Sequence, residues 1–378
     1  MQLAFRNGNL LTPILEPWYT GLEDPAEAQN RVLTELLRMY SRTEYGKEHS
    51  ASEIGSMVDF RESFPSIGYR GLVKYLDKVK AGHYEVLLPE PPVCWVMTRG
   101  STGAAKVLPA TRTHLDQILT CGARAFLNYS QRKQDSGILT GRILNLNFPS
   151  RVAEMDGDAG KVSYGYSSGT YARFFPSLGK AGLVPLQEEI DALGSGVTRQ
   201  DWERRFELTY SRTASEDVTA AMGVAPVILS FAGFVRRRYG KLPKDLWKVH
   251  AVFCTSVRKI HYRYAPKLRR YFGEVPVVEI YSATEGVFGQ QLDDLPYVAP
   301  NYDKYLFEVE TGRGVKMLHE LQRGEWGRLI ISSCMFPRYA IGDMIEAMGR
   351  NYFKVFGRDK TLHILEHRLY RFLFGWFL

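Results

Sequence analysis

Four short segments carry the residues whose types and spacing could do chemistry. The first runs Thr98-Arg99-Gly100-Ser101-Thr102-Gly103-Ala104-Ala105-Lys106, directly after the apolar run Val93 to Met97. Small residues let a backbone wrap closely around phosphate oxygens, where N–H groups and the hydroxyls of Thr98, Ser101 and Thr102 can donate. Lys106 adds a flexible positive charge that can follow a phosphate during reaction. The segment is not a Walker A loop, which needs G-x-x-x-x-G-K-S/T, because Gly103 is followed by Ala-Ala-Lys and then Val107. A polar turn between strands with a surface lysine is the alternative reading.

The second segment is Tyr281-Ser282-Ala283-Thr284-Glu285-Gly286, at the end of an apolar strand-forming run. Ligands favour the carboxyl ends of strands in α/β folds. An aromatic ring there suits a purine, and a carboxylate suits Mg²⁺ near phosphates; a strand-to-loop turn is the plain alternative. In the third, Arg338-Tyr339-Ala340-Ile341-Gly342-Asp343, Asp343 could accept hydrogen bonds from two ribose hydroxyls, or the stretch is a hairpin turn. The fourth, Gly357-Arg358-Asp359-Lys360, could be a hinge with a phosphate-contacting arginine.

Other strings point elsewhere and are weaker. His363-Ile364-Leu365-Glu366-His367 fits the inverted H-x-x-E-H pattern but reads as two surface histidines on a terminal helix. Gly165-Tyr166-Ser167-Ser168-Gly169 fits G-x-S-x-G, yet a nucleophile elbow needs a helix right after it, and Thr170 to Pro176 does not read as one. Cys94, Cys121, Cys254 and Cys334 are widely spaced with no C-x-x-C pair. This excludes a zinc ribbon or thiol redox motif and fits a reducing compartment, the cytoplasm.

The elements that must position these residues are partly legible. Asp24 with Pro25 predicts a helix start, and Val32, Leu33, Leu36, Leu37 and Tyr40 share one face of that helix. Gly46 reads as a turn beyond it. Tyr69 to Lys80 reads as a second helix. Val93 to Met97 reads as a buried strand, and Val107 with Leu108 as another, closed by Pro109. Thr113 and Asp116 suggest a capping box for the following helix. Tyr164 to Tyr171 is a loop or helix start, and Ala221 to Val235, apolar from Gly223, is a buried strand or helix. Trp247 to Thr255 and Val275 to Tyr281 read as strands, as do Tyr305 to Val309, Arg328 to Ser332, Met344 to Met348 and Tyr352 to Phe356. The last two join near Gly349-Arg350-Asn351 in a hairpin. This mixture predicts an α/β fold with added antiparallel sheet.

A length of 378 residues gives room for two domains or one large one, and 45% hydrophobic residues supply a sizeable core. The net charge of +8 is compatible with polyanionic partners. The basic runs Arg236 to Arg238 and Lys267 to Arg270 read as solvated surface, with no zinc-finger or basic-zipper pattern beside them, so nucleic acid is not favoured. The most apolar stretch, Ala221 to Val235, is too short to span a bilayer and ends in three arginines. No signal peptide is visible at the start. Oligomeric state is not legible.

Taken in order, the four segments resemble the motifs of the acyl-adenylate-forming (ANL) superfamily. Thr98, Gly100, Ser101, Thr102, Gly103 and Lys106 match its phosphate loop, S/T-S/T-G-S/T-S/T-G-x-x-K, with Arg99 departing at the second position. Tyr281 to Gly286 matches aromatic-x-x-S/T-E-G, Tyr339 to Asp343 matches Y-x-x-G-D, and Gly357 to Lys360 matches G-R-x-D/K. Within the superfamily the chain is most similar to the plant-hormone type (auxin/jasmonate) of acyl-acid amido synthetases and their microbial relatives. The lead of about 95 residues before the loop, Thr43-Glu44-Tyr45-Gly46 and Phe60-Arg61 to Pro65 support that placement.

The resemblance implies ATP and Mg²⁺ as cofactors. Tyr281 and Ala283 would border adenine, Thr284 would touch phosphate and Glu285 would hold the metal. Asp343 would take ribose, Arg358 ribose or phosphate, and Lys106 the phosphates. It implies a large α/β adenylation domain over 1–356, with mixed sheets flanked by helices and a smaller barrel-like sheet. A hinge at Lys360 would open a small C-terminal domain over 357–378. Only 18 residues follow Lys360, fewer than an independent domain needs, so that domain is expected absent or truncated. The implied activity is activation of a carboxylic acid as acyl-AMP with release of pyrophosphate, then acyl transfer to an amine. Transfer to a thiol such as CoA, hand-over to another protein, or a non-catalytic nucleotide-sensing or scaffold role are the competing readings. Tyr164, Tyr166, Phe253 and Cys254, with Tyr171 and Phe174, are candidate lining residues of the acid pocket, or simple core.

Overall fold

A computed structural model describes residues 11–98, 105–157, 160–175, 182–255 and 257–374. The chain folds into mixed sheets and helices, in two compact units. One comprises Met1–Glu16, Cys94–Ala110 and Ile118–Pro296, the other Pro17–Val93, Thr111–Gln117 and Tyr297–Leu378.

In the first unit the larger sheet orders its strands Gly286–Gln290, Val277–Ala283, Ala251–Thr255, Val218–Val224, Arg142–Asn145, Leu183–Val184. All neighbours are parallel except the first pair, which closes as an antiparallel hairpin. Parallel central strands are covered on their faces and so read as near-continuous apolar runs; Ala251 to Cys254 are all fully buried. The apolar stretch after Gly223 resolves into a helix, Ala225–Tyr239, started by Pro226 and stopped by Gly240 at φ +69°. Ile228, Phe231, Ala232 and Val235 pack with Cys254, Val252, Leu268 and Phe272 in one core. The arginines 236–238 that follow are exposed, as expected of solvated surface.

A smaller sheet of the same unit runs Val107–Thr111, Pro92–Met97, Gly160–Tyr166, Ala153–Gly157. The strand expected to close at Pro109 continues to Thr111. Proline lacks an N–H, and this strand lies at the sheet edge, where none is required. The stretch read as a single loop splits in two: strand Gly160–Tyr166, then helix Ser167–Phe174. The expectation that no helix follows G-x-S-x-G was therefore wrong. One glycine and two serines hid a helix whose docking, not its propensity, defines it.

The second unit centres on a five-stranded antiparallel sheet ordered Gly314–Met317, Leu306–Thr311, Trp326–Ser332, Tyr339–Gly349, Tyr352–Arg358. The helix Pro25–Tyr40 forms as expected, with Asp24 accepting from the Glu27 amide at 3.1 Å. It is tied to this sheet by Gln29, whose side chain bonds the carbonyls of Tyr302 and Tyr305, each at 2.8 Å. Gly46 lies inside a short helix, Glu44–Glu48, rather than beyond one; Thr43 caps it, and a side chain at 46 would strike the Tyr40 carbonyl. The capping box at Thr113 and Asp116 is not formed. Thr111 bonds the His114 amide at 3.2 Å, the Thr113 amide goes to Glu90 at 2.8 Å, and Asp116 pairs with Arg112. The last two long strands join through Arg350 and Asn351, both at positive φ, the geometry of a tight hairpin turn.

Candidate functional site

The phosphate-loop candidates Gly100, Ser101, Thr102 and Gly103 lie outside the described residues. The loop's two feet are defined. The Thr98 amide donates to the Lys106 carbonyl at 2.9 Å, and the Lys106 amide donates to Thr98 Oγ1 at 3.0 Å. This double tie pinches the segment where the strand Pro92–Met97 leaves its sheet and Val107–Thr111 begins.

Lys106 then reaches across its unit. Its Nζ stands 3.8 Å from a Glu285 carboxylate oxygen, with the lysine side chain 25% exposed and the glutamate 7%. Glu285 and Thr284 form the two-residue turn of the hairpin, between paired Ala283 and Gly286. Tyr281 is buried at the end of the inner hairpin strand, its ring 5.6 Å from Phe288. Two segments separated by almost half the chain thus deliver a cation and a carboxylate to one place. Such a pairing suits a site where a metal-borne phosphate later comes between them.

In the second unit, Asp343 and Arg358 sit opposite each other in adjacent strands. The Arg358 Nη1 donates to Asp343 Oδ1 at 2.8 Å and its Nη2 to the Ile341 carbonyl at 2.9 Å. The hairpin alternative for 338–343 is overturned, since Tyr339–Gly349 is one continuous strand. Gly342 is needed there: its φ is +84°, and a Cβ would approach Arg358 Nη2 to 3.2 Å. Just upstream, Arg338 is almost fully buried against Glu308, at 2.9 Å, and also donates to the carbonyls of Arg61 and Phe64. Sequence reading missed Glu308, whose partner Arg61 lies 247 residues away. Lys360 is exposed and precedes the helix Thr361–Phe374.

The histidines of the terminal helix are not two surface residues. His363 meets the Arg358 backbone at 2.9 Å, while His367 is 5% exposed and stacks on Phe356 at 3.7 Å. Among the described residues no group of three or more His, Cys, Asp or Glu could hold a metal ion.

The acid-pocket candidates separate within the first unit. Tyr166 is half-buried, 5.0 Å from Phe148, and Tyr164 is half-buried in the same strand. Phe253 is fully buried and stacked on Phe126 at 3.8 Å, whereas its neighbour Cys254 points into the core with Ile228 and Leu268. Tyr171 sends its hydroxyl to the Thr284 carbonyl at 2.6 Å. None of the four cysteines is in a disulfide and all are buried, and burial pushes the Cys94 thiol up to about 12 and raises Cys254 and Cys334 as well. Thiols held protonated in this way are poor nucleophiles. No helix among the described residues is long and apolar enough to cross a membrane.

The fold is that of the adenylate-forming enzymes. It superposes on a solved structure of AtGH3.15 acyl acid amido synthetase in complex with 2,4-DB at TM-score 0.72 and 16% identity, covering 94% of this chain and 71% of that one. It also superposes on an open conformation of 2-hydroxyisobutyryl-CoA ligase at TM-score 0.61 and 14% identity, covering 88% and 75%. Residues 19–180 match the GH3 family N-terminal domain. Over 102 residues, 24% of this chain, it is 28% identical to a rice (Oryza sativa subsp. japonica) protein described as probable indole-3-acetic acid-amido synthetase GH3.13. The chain spans 22% of that relative, and 16% of a second rice relative, GH3.7, at 32% identity. Residues 19–180 are thus similar to the GH3 family N-terminal domain, and the fold is shared with solved acyl acid amido synthetase and acyl-CoA ligase structures.

Proposed function

We propose that this chain activates a carboxylic acid with ATP as an acyl-AMP, releases pyrophosphate, and transfers the acyl group to an amine to form an amide. The observation that carries the reading is the meeting of Lys106 and Glu285, 3.8 Å apart, at the foot of the loop and the tip of the hairpin. In the proposed reaction a carboxylate oxygen of the acid attacks the α-phosphorus of ATP, and the bond to the bridging oxygen of pyrophosphate breaks. Two anions must approach, so positive charge has to be in place beforehand. Lys106 supplies it from one side and follows the phosphates as charge shifts. Thr98 and the loop hydroxyls of Ser101 and Thr102 donate to phosphate oxygens. Asp343 is assigned to the ribose hydroxyls and Arg358 to ribose or phosphate, with Tyr281 and Ala283 against adenine. Tyr164 and Tyr166 are assigned to the acid.

Mg²⁺ fits the residues present. Glu285 is a hard oxygen ligand, almost buried beside a cation, and Mg²⁺ commonly takes one or two carboxylates with substrate phosphates. When bound it neutralises phosphate charge, and Glu285 is the residue that would hold it. No enzyme nucleophile is required, which agrees with three buried cysteines whose thiols are held protonated. A compartment that keeps the four cysteines reduced, the cytoplasm, suits them. Lys360, at the start of the last helix, is assigned as the hinge between 1–356 and the segment 357–378.

An amine is favoured over a thiol as acceptor because the rice relatives matched over 102 residues are described as probable amido synthetases. The test is acid-dependent exchange of labelled pyrophosphate into ATP across indole, benzoic and short aliphatic acids. Exchange with one class supports the reading and names the acid. ATP binding without exchange for any acid refutes it in favour of nucleotide sensing.

A further inference from the structure

Apart from Tyr166, the G-x-S-x-G string has no role in the reaction above, and its geometry points to one. Gly165 and Gly169 allow a close approach: a Cβ at 165 would lie 2.3 Å from the Ser150 carbonyl carbon, and one at 169 would lie 2.0 Å from the Phe148 carbonyl oxygen. The start of helix Ser167–Phe174 is thereby clamped onto the 148–150 backbone. The Phe148 amide adds a bond to Ser168 Oγ at 3.3 Å, and Asp191 fixes the Ser150 amide at 2.8 Å. Ser167 and Tyr171 are four residues apart and so share one face of this helix. That face meets the metal-side turn. Tyr171 donates its hydroxyl to the Thr284 carbonyl at 2.6 Å, and Thr284 Oγ1 lies 3.5 Å from Ser167 Oγ. The strand leading into the helix pairs Tyr166 with Met97, the residue before Thr98. The helix is thus a strut that ties the root of the phosphate loop to the Thr284–Glu285 turn.

We propose that Tyr171 is a positioning residue that acts through the Thr284 carbonyl to set Glu285 for metal·nucleotide binding, rather than a wall of the acid pocket. The proposal rests on the adenylation reading. A two-residue turn is held mainly by its flanking strands, so a bond to its own carbonyl fixes the one peptide plane that precedes Glu285. Removing the hydroxyl leaves the ring and its packing in place and frees that plane.

The test is calorimetric binding of Mn²⁺·ATP and of metal-free AMP to wild type and Tyr171→Phe, with steady-state kinetics beside it. Mn²⁺·ATP affinity is expected to fall about five- to tenfold, the size of one lost hydrogen bond acting on a metal ligand. AMP affinity, KM for the acid and the melting temperature are expected to stay at wild-type values. Should Tyr171→Phe fail to fold, Ser167→Ala reads the same quantity, with an expected loss of about twofold from the weaker contact. Equal Mn²⁺·ATP affinity in the variant overturns the proposal, as does a loss shared equally by AMP, or a change confined to KM for the acid. Wild-type protein that binds neither Mn²⁺·ATP nor AMP refutes the adenylation reading itself, which separates the two failures.

Discussion

Glu285→Gln should separate activity from stability. The carboxylate stands 3.8 Å from Lys106 Nζ, beyond hydrogen-bond length, and the lysine side chain is a quarter exposed. A bare Coulomb figure for such a pair, about 4 kcal/mol at an effective dielectric near 20, overstates it, because water screens the lysine and its side-chain freedom is lost. Pairs of this kind contribute about 0–1 kcal/mol net. Glutamine has nearly the same size and keeps an acceptor oxygen, so the fold should lose about 1 kcal/mol or less. In the proposed reaction the demand is different: the residue would have to hold a divalent cation against phosphate, and an amide is a weak ligand for Mg²⁺. The expected loss is about hundredfold in the rate of pyrophosphate exchange, or about 2.7 kcal/mol of barrier. The Mg²⁺ concentration for half-maximal rate should rise with it. The assay is exchange at limiting and saturating Mg²⁺, alongside urea unfolding of both proteins. Wild-type rates at limiting Mg²⁺ would refute the assignment. So would a variant whose lost activity follows a collapse of the unfolding midpoint.

Other perturbations address the second unit. Asp343→Asn should weaken ATP binding about tenfold by calorimetry, since a charge-assisted acceptor is lost, while the 2.8 Å contact with Arg358 survives in part. Glu308→Ala should cost about 3–5 kcal/mol in urea unfolding, because the buried Arg338 loses the carboxylate that compensates it; an unchanged midpoint would show the network to be dispensable. His367 has its pKa lowered from 6.5 to about 4, chiefly by burial, with Glu346 acting the other way and Lys354 and Arg371 adding to the drop. A group depressed in the fold binds fewer protons there than in the unfolded chain. Its contribution to stability is full above pH 6.5 and is lost as pH falls from 6.5 to about 4. Unfolding midpoints measured across that range should fall in wild type and fall less in His367→Phe.

The sequence made the fold class and the motif positions legible because they rest on local signals. Strong strand formers around Val277, Asp24 before Pro25, and Arg350-Asn351 at a hairpin each encode their own geometry. Helix Ser167–Phe174 was hidden because its helicity comes from packing. Gly169, which weakens the helix in isolation, lets it touch the Phe148 backbone, and Gly165 in the strand before it lets the chain approach Ser150. The cap at Thr111 was displaced to Thr113 in reading because Glu90, a partner distant in sequence, takes the Thr113 amide. The pairs Lys106–Glu285 and Asp343–Arg358 join residues already singled out, so each member was readable while the contact between them was not. Glu308 had no comparable signal, being an ordinary strand residue that matters through Arg338, and Tyr171, singled out as a pocket candidate, gave no sign of its bond to the Thr284 carbonyl. The expectation that Cys254 and Phe253 line one pocket overlooked strand alternation, which sends neighbouring side chains to opposite faces.

The most direct test of the central claim follows an oxygen atom. Acid labelled with ¹⁸O in its carboxylate is incubated with ATP, Mg²⁺ and an amine, and the products are weighed by mass spectrometry. Attack by the carboxylate on the α-phosphorus leaves one labelled oxygen in AMP and none in pyrophosphate. Labelled phosphate with ADP would place the attack on the γ-phosphorus, and unlabelled AMP would mean that water, not the acid, had met the nucleotide; either result contradicts acyl-AMP formation by this chain.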